Sequence, residues 1–406
     1  MKPYETIQQW KGFVGRHRAW CWLIFLLFYV AFFFNAIIHS DQTFIDLAKS
    51  FLQGKLYFID DVVYDTASFL GLRYWPLGPF PAVLITPFVW LFSLIGAPFY
   101  QGYLNGILGI AVFFIWIRIA RRLGYDERSS LIWASAFVFA SPFIAAFFLP
   151  AYAHFAHTIT VFFLSLVLYE YSTKKRPLAL GLCMAAVSAT RISAGFCSLF
   201  FLCDILFLSH DVLRTKVKRL ILFLCPLAAA GLLLGWYNFA RFGSPFEFGY
   251  SLQALYYPEL IRLREQGLMS IMHVLPNLYY LLLALPVIVT SGATLTFPFF
   301  KPDPWGMSIF ITSPYFFQLF FFRYRSALSR YLFLTILVVL TPLLLYYGIG
   351  FRQFGYRYAL DFLPLLFYLL LVEYKMKRQN ISRTMEWVVG ISIIIDVYLV
   401  LTFLIL

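Results

Sequence analysis

Charge is what this sequence has least of. Only 13% of its 406 residues are Asp, Glu, Lys or Arg, against 62% hydrophobic residues and a mean hydropathy of +0.79. A soluble domain is nearer half apolar, and no polar stretch between the apolar runs is long enough to fold as one. Cysteine is scarce as well: Cys21, Cys183, Cys197, Cys203 and Cys225 all sit inside or at the edges of apolar runs, and none forms a CxxC pair, which excludes a disulfide framework. The ten-residue alternating segments of a membrane β-barrel are missing. So are internal repeats, and the halves do not read as inverted copies, which argues against a secondary transporter. No small-residue cleavage site follows the first apolar run, so that run is expected to stay as an anchor. What remains is a single polytopic all-α integral membrane domain over residues 1–406. The net charge of +13 sits in short clusters between apolar runs. That pattern encodes orientation in a membrane rather than nucleic-acid binding.

About 11 transmembrane helices are expected, over 20–38, 99–117, 130–149, 153–171, 178–190, 194–209, 220–237, 307–322, 331–348, 358–373 and 386–405. With the N-terminus inside, basic residues fall at alternate turns: Lys2, Lys11, Arg16 and Arg18, then Arg118 to Arg128, Lys174 to Arg176, Arg214 to Arg219, Arg323 to Arg330, and Lys375 to Arg383. This places 22 of the 32 basic residues inside. It requires that two proline-broken apolar stretches, 77–95 and 274–300, do not cross. Both read as helices lying in the outer interface or dipping into it, which backbone tolerates only against protein or a water-filled cavity. The large outer segments are then a first loop, 39–98, and a second, 238–306.

The first loop holds five carboxylates: Asp41, Asp46, Asp60, Asp61 and Asp65. Phe44, Leu47, Ala48, Phe51 and Leu52 recur at helical spacing, so an amphipathic helix is expected there, with Ser40 or Asp41 as N-cap and Gly54 as its stop. Asp41, at the exit of the first span, fits either a cap or a general base. Arg191, Arg241, Arg352 and Arg357 are the outer arginines nearest span ends. They suit either phosphate binding or pairing with Asp361 or Glu247.

Asp41-Gln42, the amphipathic helix, Gly54-Lys55, Tyr74-Trp75-Pro76 and the proline-bearing helix resemble the first external loop of the GT-C glycosyltransferases. That superfamily includes the protein mannosyltransferase and aminoarabinose transferase types. Pro150-Ala151-Tyr152, Ala189-Thr190-Arg191, the run from Tyr237 to Tyr250, and Phe354 to Tyr358 are similar in order and topology. The resemblance implies a hexosyl or pentosyl transferase that moves a sugar, with inversion, from a polyprenyl-phosphate donor to an outer-face acceptor: a lipid-linked glycan, a cell-envelope polymer, lipid A or a protein. It implies a multi-pass protein of the cytoplasmic membrane with an external active site. It puts the general-base role on Asp41, donor-phosphate binding on Arg191, Arg357, Arg241, Arg352 and Lys55, and the substrate-lining role on His39, Asp61, Tyr152, His154, Glu247 and Tyr356. The family often has Glu after the loop Asp; here Gln42 stands there, so Asp41 acts alone and a carboxylate-bound metal has less support. No metal ligand or cofactor is assigned, and a divalent metal stays open. His39, His154 and His157 fit either zinc or interfacial hydrogen bonding. Asp396 is expected to serve helix packing. A flippase of lipid-linked sugars, a glycan polymerase or ligase, and a non-catalytic family member remain alternatives.

Overall fold

The computed structural model describes residues 18–60, 62 and 65–405, excluding the side chains of Tyr152 and Ile405. Lys2, Lys11, Arg16, Asp61 and the Tyr152 side chain therefore lie outside the described residues. The chain is an all-α, multi-pass membrane protein. Its main helices are α1 (Arg18–Ile37), α2 (Thr43–Leu52), α3 (Phe80–Leu94), α4 (Gln101–Arg122), α5 (Glu127–Phe139), α6 (Tyr152–Tyr171), α7 (Pro177–Thr190), α8 (Leu213–Phe242), α9 (Val274–Leu282), α10 (Ala327–Leu345), α11 (Leu363–Lys377) and α12 (Arg383–Ile405). Among the described residues six of these, α1, α4, α6, α8, α10 and α12, are long and apolar enough to cross a membrane.

The other expected spans are shorter or broken, and proline explains two of the breaks. The 130–149 run stops at Phe139 and resumes as Phe143–Phe148, because Pro142 removes a donor and disfavours helical backbone before it. The 307–322 run becomes Ile309–Thr312 and a 3-10 turn from Pro314 to Phe321. Carbonyls freed near the first break are taken up by buried amides. Asn35 and Asn105 donate to Phe147 at 2.7 and 3.0 Å, Asn105 to Ala146 at 3.0 Å, and Gln101 to Pro150. Without these partners each buried carbonyl costs about 1–3 kcal/mol.

Burial orders the bundle. The apolar window of α6 is 78% buried and that of α8 only 17%, so α6 is central and α8 peripheral. α7 joins the two, packing on both.

The 77–95 stretch forms α3, whose 15 residues reach about 22 Å, short of the roughly 30 Å hydrocarbon core. It buries Ala82, Ile85 and Val89 against α2, which in turn buries Phe44, Leu47 and Ala48. The expected amphipathic face of α2 is therefore present. Its cap is not the expected one: Gln42 occupies the N-cap without a side-chain hydrogen bond to the helix, and Asp41 lies one residue earlier at φ 53°.

The 274–300 stretch departs further. Its first part is helix α9, but strands β3 (Val287–Ser291) and β4 (Thr294–Lys301) form a hairpin in place of the expected helix. Val287, Ile288, Val289 and Thr290 are β-branched, and Gly292 sits in the turn at φ 59°. The 39–98 loop carries a smaller hairpin of Ala67–Phe69 and Leu72–Tyr74. Its two-residue turn, Leu70-Gly71, has both φ values positive (49° and 78°), as a type I′ turn requires.

Candidate active site

A cavity of about 370 Å³ opens where the helices end. α7 contributes Ser188 and Thr190, α8 Asn238 and Arg241, α10 Pro342 and, one residue past its end, Tyr346, and the approach to α11 Arg357 and Tyr358. In each helix the basic cluster lies at the opposite end: Arg176 before α7, Lys216 to Arg219 on α8, Arg330 on α10, Lys375 and Lys377 on α11. The first loop closes one side with Asp65 and Trp75 to Pro79, the second with Phe248, Tyr250 and Gln253. Gly78 is needed for this closure. A Cβ there would lie 2.1 Å from the Ala189 carbonyl oxygen and 2.6 Å from that of Thr190, so only glycine brings the loop against the end of α7.

Three arginines face the cavity, each held differently. Arg191 is pinned: its Nε and Nη2 donate to the two oxygens of Asp361 at 2.5 and 3.0 Å. Ser193 donates to the same carboxylate at 2.5 Å, and His157 lies 3.5 Å from it. Asp361 is fully buried, so the pair is two-pronged and largely dry. Arg241 is buried and braces the first loop, donating to the Trp75 carbonyl at 2.5 Å and to Asn238 at 2.6 Å while its guanidinium lies 3.8 Å from the Tyr237 ring centre. Arg357 has no anionic partner among the described residues. Its Nε is buried and unbonded, and its guanidinium sits 5.5 Å from the Tyr358 ring centre. The loop that presents it is organised by fully buried Gln353, which donates to the Trp305 and Ile349 carbonyls and accepts from the Arg357 backbone at 3.2 Å.

Asp41 does not line the cavity. Its carbonyl accepts from Gln101 at 3.0 Å, and Gln42 Oε1 accepts the Gln101 backbone N–H at 3.0 Å, so this corner is fastened to the start of α4. Loss of solvent raises the Asp41 carboxyl above the ordinary carboxylate range. The nearby Arg352 guanidinium opposes that rise and Asp65 adds to it. Asp41, Asp65 and Arg352 all have left-handed backbone, at φ 53°, 56° and 50°. Such strain in non-glycine residues persists only where surrounding structure holds it.

The remaining sequence candidates lie away from the cavity wall. Lys55 is exposed, 5.8 Å from the Tyr57 ring centre. His39 stacks on Tyr100 at 3.7 Å. His154 and His157 are buried on α6. His154 has no hydrogen-bond partner among the described residues. Glu247 closes its own turn by accepting from the Gly249 N–H at 2.6 Å and from Ser251 at 3.0 Å. Tyr356 is fully buried and donates to Asn277 at 3.0 Å, tying this segment to α9. Among the described residues no three His, Cys, Asp or Glu side chains are grouped to hold a metal.

Residues that pattern reading passed over are Ser193, Gln353, Tyr346 and Gly78. Asp361, named there only as an alternative partner of the arginines, is an acid just inside an apolar run, and buried acids need partners. A second recess of about 410 Å³ between α2 and α3 contains the Asp46–Lys49 ion pair at 2.9 Å, so its charges are already matched.

No family model matches the chain, and neither does any curated protein. Two solved structures are similar in fold. One is the oligosaccharyltransferase of Archaeoglobus fulgidus in its apo form: 13% identity, TM-score 0.45, 93% of this chain and 55% of that one. The other is the oligosaccharyltransferase AglB of Archaeoglobus fulgidus in complex with an inhibitory peptide and a dolichol-phosphate: 11% identity, TM-score 0.42, 93% of this chain and 54% of that one. This chain spans about half the length of each.

Proposed function

We propose that the chain is a membrane glycosyltransferase that moves a sugar from a polyprenyl-phosphate donor to an acceptor on the outer face of the cytoplasmic membrane. The observation that carries this reading is Arg357: a guanidinium with no anionic partner among the described residues, in a cavity whose wall also carries Leu234, Phe248, Tyr250, Tyr346 and Tyr358. Such a charge is costly unless a ligand anion meets it. A lipid-borne phosphodiester supplies the anion and a tail suited to the apolar walls, while a sugar suits the phenols of Tyr250, Tyr346 and Tyr358.

The chemistry follows from charge. As the bond between the anomeric carbon and the phosphate breaks, negative charge grows on the leaving phosphate, where Arg357 holds it with Arg191 and Arg241 beside it. Asp361 keeps Arg191 in one orientation, so that donor needs no reorganisation during the reaction. Asp41 takes the proton of the acceptor hydroxyl as it attacks from the face opposite the phosphate, which inverts the anomeric centre. A carboxyl raised above its ordinary range is a stronger base than a free one. Gln42 positions Asp41 through Gln101. Arg352 acts on Asp41 rather than on the phosphate, and Lys55 takes no part.

The test is sugar transfer in proteoliposomes. Radiolabelled polyprenyl-phosphate sugars are supplied as donors and membrane extract as the acceptor source. Wild type transfers label, and Asp41→Asn loses about 10²–10⁴ in rate while still binding donor. Label moving between leaflets without transfer would show a flippase instead.

A further inference from the structure

We infer that Asp65 is a second catalytic carboxylate of the proposed glycosyl transfer, contacting the bound sugar beside its anomeric carbon while Asp41 takes the acceptor proton. The inference rests on that reading of the site and adds a residue and a role to it.

The first argument is position. Asp65 lines the cavity, and Asp41 does not. Asp65 is also firmly placed. Gln253 donates to its backbone carbonyl at 3.4 Å and to its carboxylate at 3.5 Å. Gln253 is itself anchored by Arg264, which donates to its carbonyl at 2.5 Å, and by the Tyr347 hydroxyl at 3.5 Å. The backbones of the two outer loops are joined at the same place: Ala254 donates to the Thr66 carbonyl at 2.9 Å and Ser68 to that of Leu252 at 3.1 Å. A carboxylate that both outer loops hold at the wall of a cavity is preorganised.

The second argument is electrostatic. Glycosyl transfer passes through an oxocarbenium-like state with positive charge at the anomeric carbon. The wall that stabilises the departing phosphate carries Arg191, Arg241 and Arg357, and these disfavour positive charge one bond away. Arg191 is neutralised by Asp361, but among the described residues Arg241 and Arg357 have no carboxylate bound. Asp65 is the sole acid among the described residues lining the cavity. It therefore supplies the negative charge that the developing cation needs.

The step balances without Asp65 changing. The acceptor oxygen bonds to the anomeric carbon, the carbon–oxygen bond to the phosphate breaks, the electron pair leaves on the phosphate, and the acceptor proton goes to Asp41. Among the described residues, the charged and titratable groups around the acid pair include Arg352, Tyr347, Arg264 across Gln253, and His39 stacked on Tyr100.

The experiment compares wild type, Asp65→Asn and Asp65→Glu in proteoliposomes with radiolabelled polyprenyl-phosphate sugar as donor, and measures the pH dependence of kcat/KM. Binding of unlabelled polyprenyl phosphate serves as a check that each variant folds. Asp65→Asn is expected to lose about a hundredfold or more in kcat and to keep its affinity for polyprenyl phosphate within a few-fold. Because Asp65 helps raise Asp41, its removal also moves the acid limb of the profile to lower pH. That shift reports the Asp65 charge alone; a residue that only braced the loops by accepting the Gln253 hydrogen bond would keep its rate as Asn, which retains that acceptor. Asp65→Glu keeps the charge and restores part of the rate. Full rate in Asp65→Asn, or a rate loss that Asp65→Glu does not restore in part, overturns the inference and leaves the glycosyltransferase reading standing. Failure of wild type to transfer from any donor overturns both.

Discussion

Two groups of charge lie at opposite ends of this bundle, and they differ in how completely they are matched. At the end marked by the basic clusters, Arg176 grips Glu170 at 2.8 and 2.9 Å. Asp204 accepts from Tyr171 at 2.7 Å and lies 3.4 Å from Lys175, and Arg219 pairs with Asp211. Glu170, Asp204 and Asp211 are all matched by a base. At the cavity end, Arg191 is matched by Asp361, but among the described residues Arg357 has no anion and Asp41 forms no ion pair. Completed charge clusters hold helices together. An incomplete one in a cavity is finished by something that binds.

The largest effect is expected where the cavity end is complete. Asp361→Ala leaves the Arg191 guanidinium, only 11% exposed, without its carboxylate. Breaking a buried pair by removing one partner costs about 3–5 kcal/mol, so thermal unfolding in detergent is expected to fall steeply and transfer with it. An unchanged melting temperature would mean that this pair is not structural and that the contrast between the two ends is drawn in the wrong place.

The opposite behaviour is expected of Arg357. Arg357→Ala removes no ion pair, so folding stability is unchanged or slightly improved, while kcat/KM falls by about 10²–10³, equivalent to about 2.7–4 kcal/mol. Arg357→Lys keeps a point charge but not the planar fork, and recovers part of the rate. At the other end the signs reverse. Asp204→Asn, which weakens a satisfied cluster, is expected to cost about 1–3 kcal/mol of stability and to leave the rate per folded molecule unaltered. If the Arg357 and Asp204 variants behave alike in both assays, matched and unmatched charge do not divide structure from function here.

The same contrast separates what was legible in the sequence from what was not. Helical spacing placed Phe44, Leu47 and Ala48 on the buried face of α2, because the apolar face of an amphipathic helix has to pack on something. Basic clusters located the helix ends, because membranes sort charge. Residue types singled out the outer arginines. Pairing was legible only as an alternative to phosphate binding: nothing local in Arg191 and Arg357 says that the first meets Asp361, 170 residues away, and the second meets no described anion. The hairpin at 287–301 was hidden for a related reason. An apolar run with prolines at both ends suits a short helix or a strand pair equally until Pro286 and the Gly292 turn are seen to fold it back. On sequence alone Asp60, Asp61 and Asp65 suit either a metal or acceptor site or a solvated loop, and nothing local singles out Asp65, because the second loop that holds it begins more than 170 positions later.

The smallest effect tests the unmatched end most finely. Loss of solvent raises the Asp41 carboxyl, and of the two charges that modify this, Arg352 lowers it and Asp65 raises it. Asp41 must be ionised to act as a base, so the acid limb of kcat/KM follows its pKa and lies above the ordinary Asp value of about 3.9. Arg352→Ala removes the opposing cation. The carboxyl then rises further, the limb moves to higher pH, and the rate well above the limb changes little. If Arg352 instead holds the donor phosphate, its loss raises KM at every pH and leaves the limb where it was. One pH series on one variant thus separates a cation that tunes the base from one that binds the ligand. It also decides whether the charge at the cavity mouth belongs with Arg357 or forms a device of its own around Asp41.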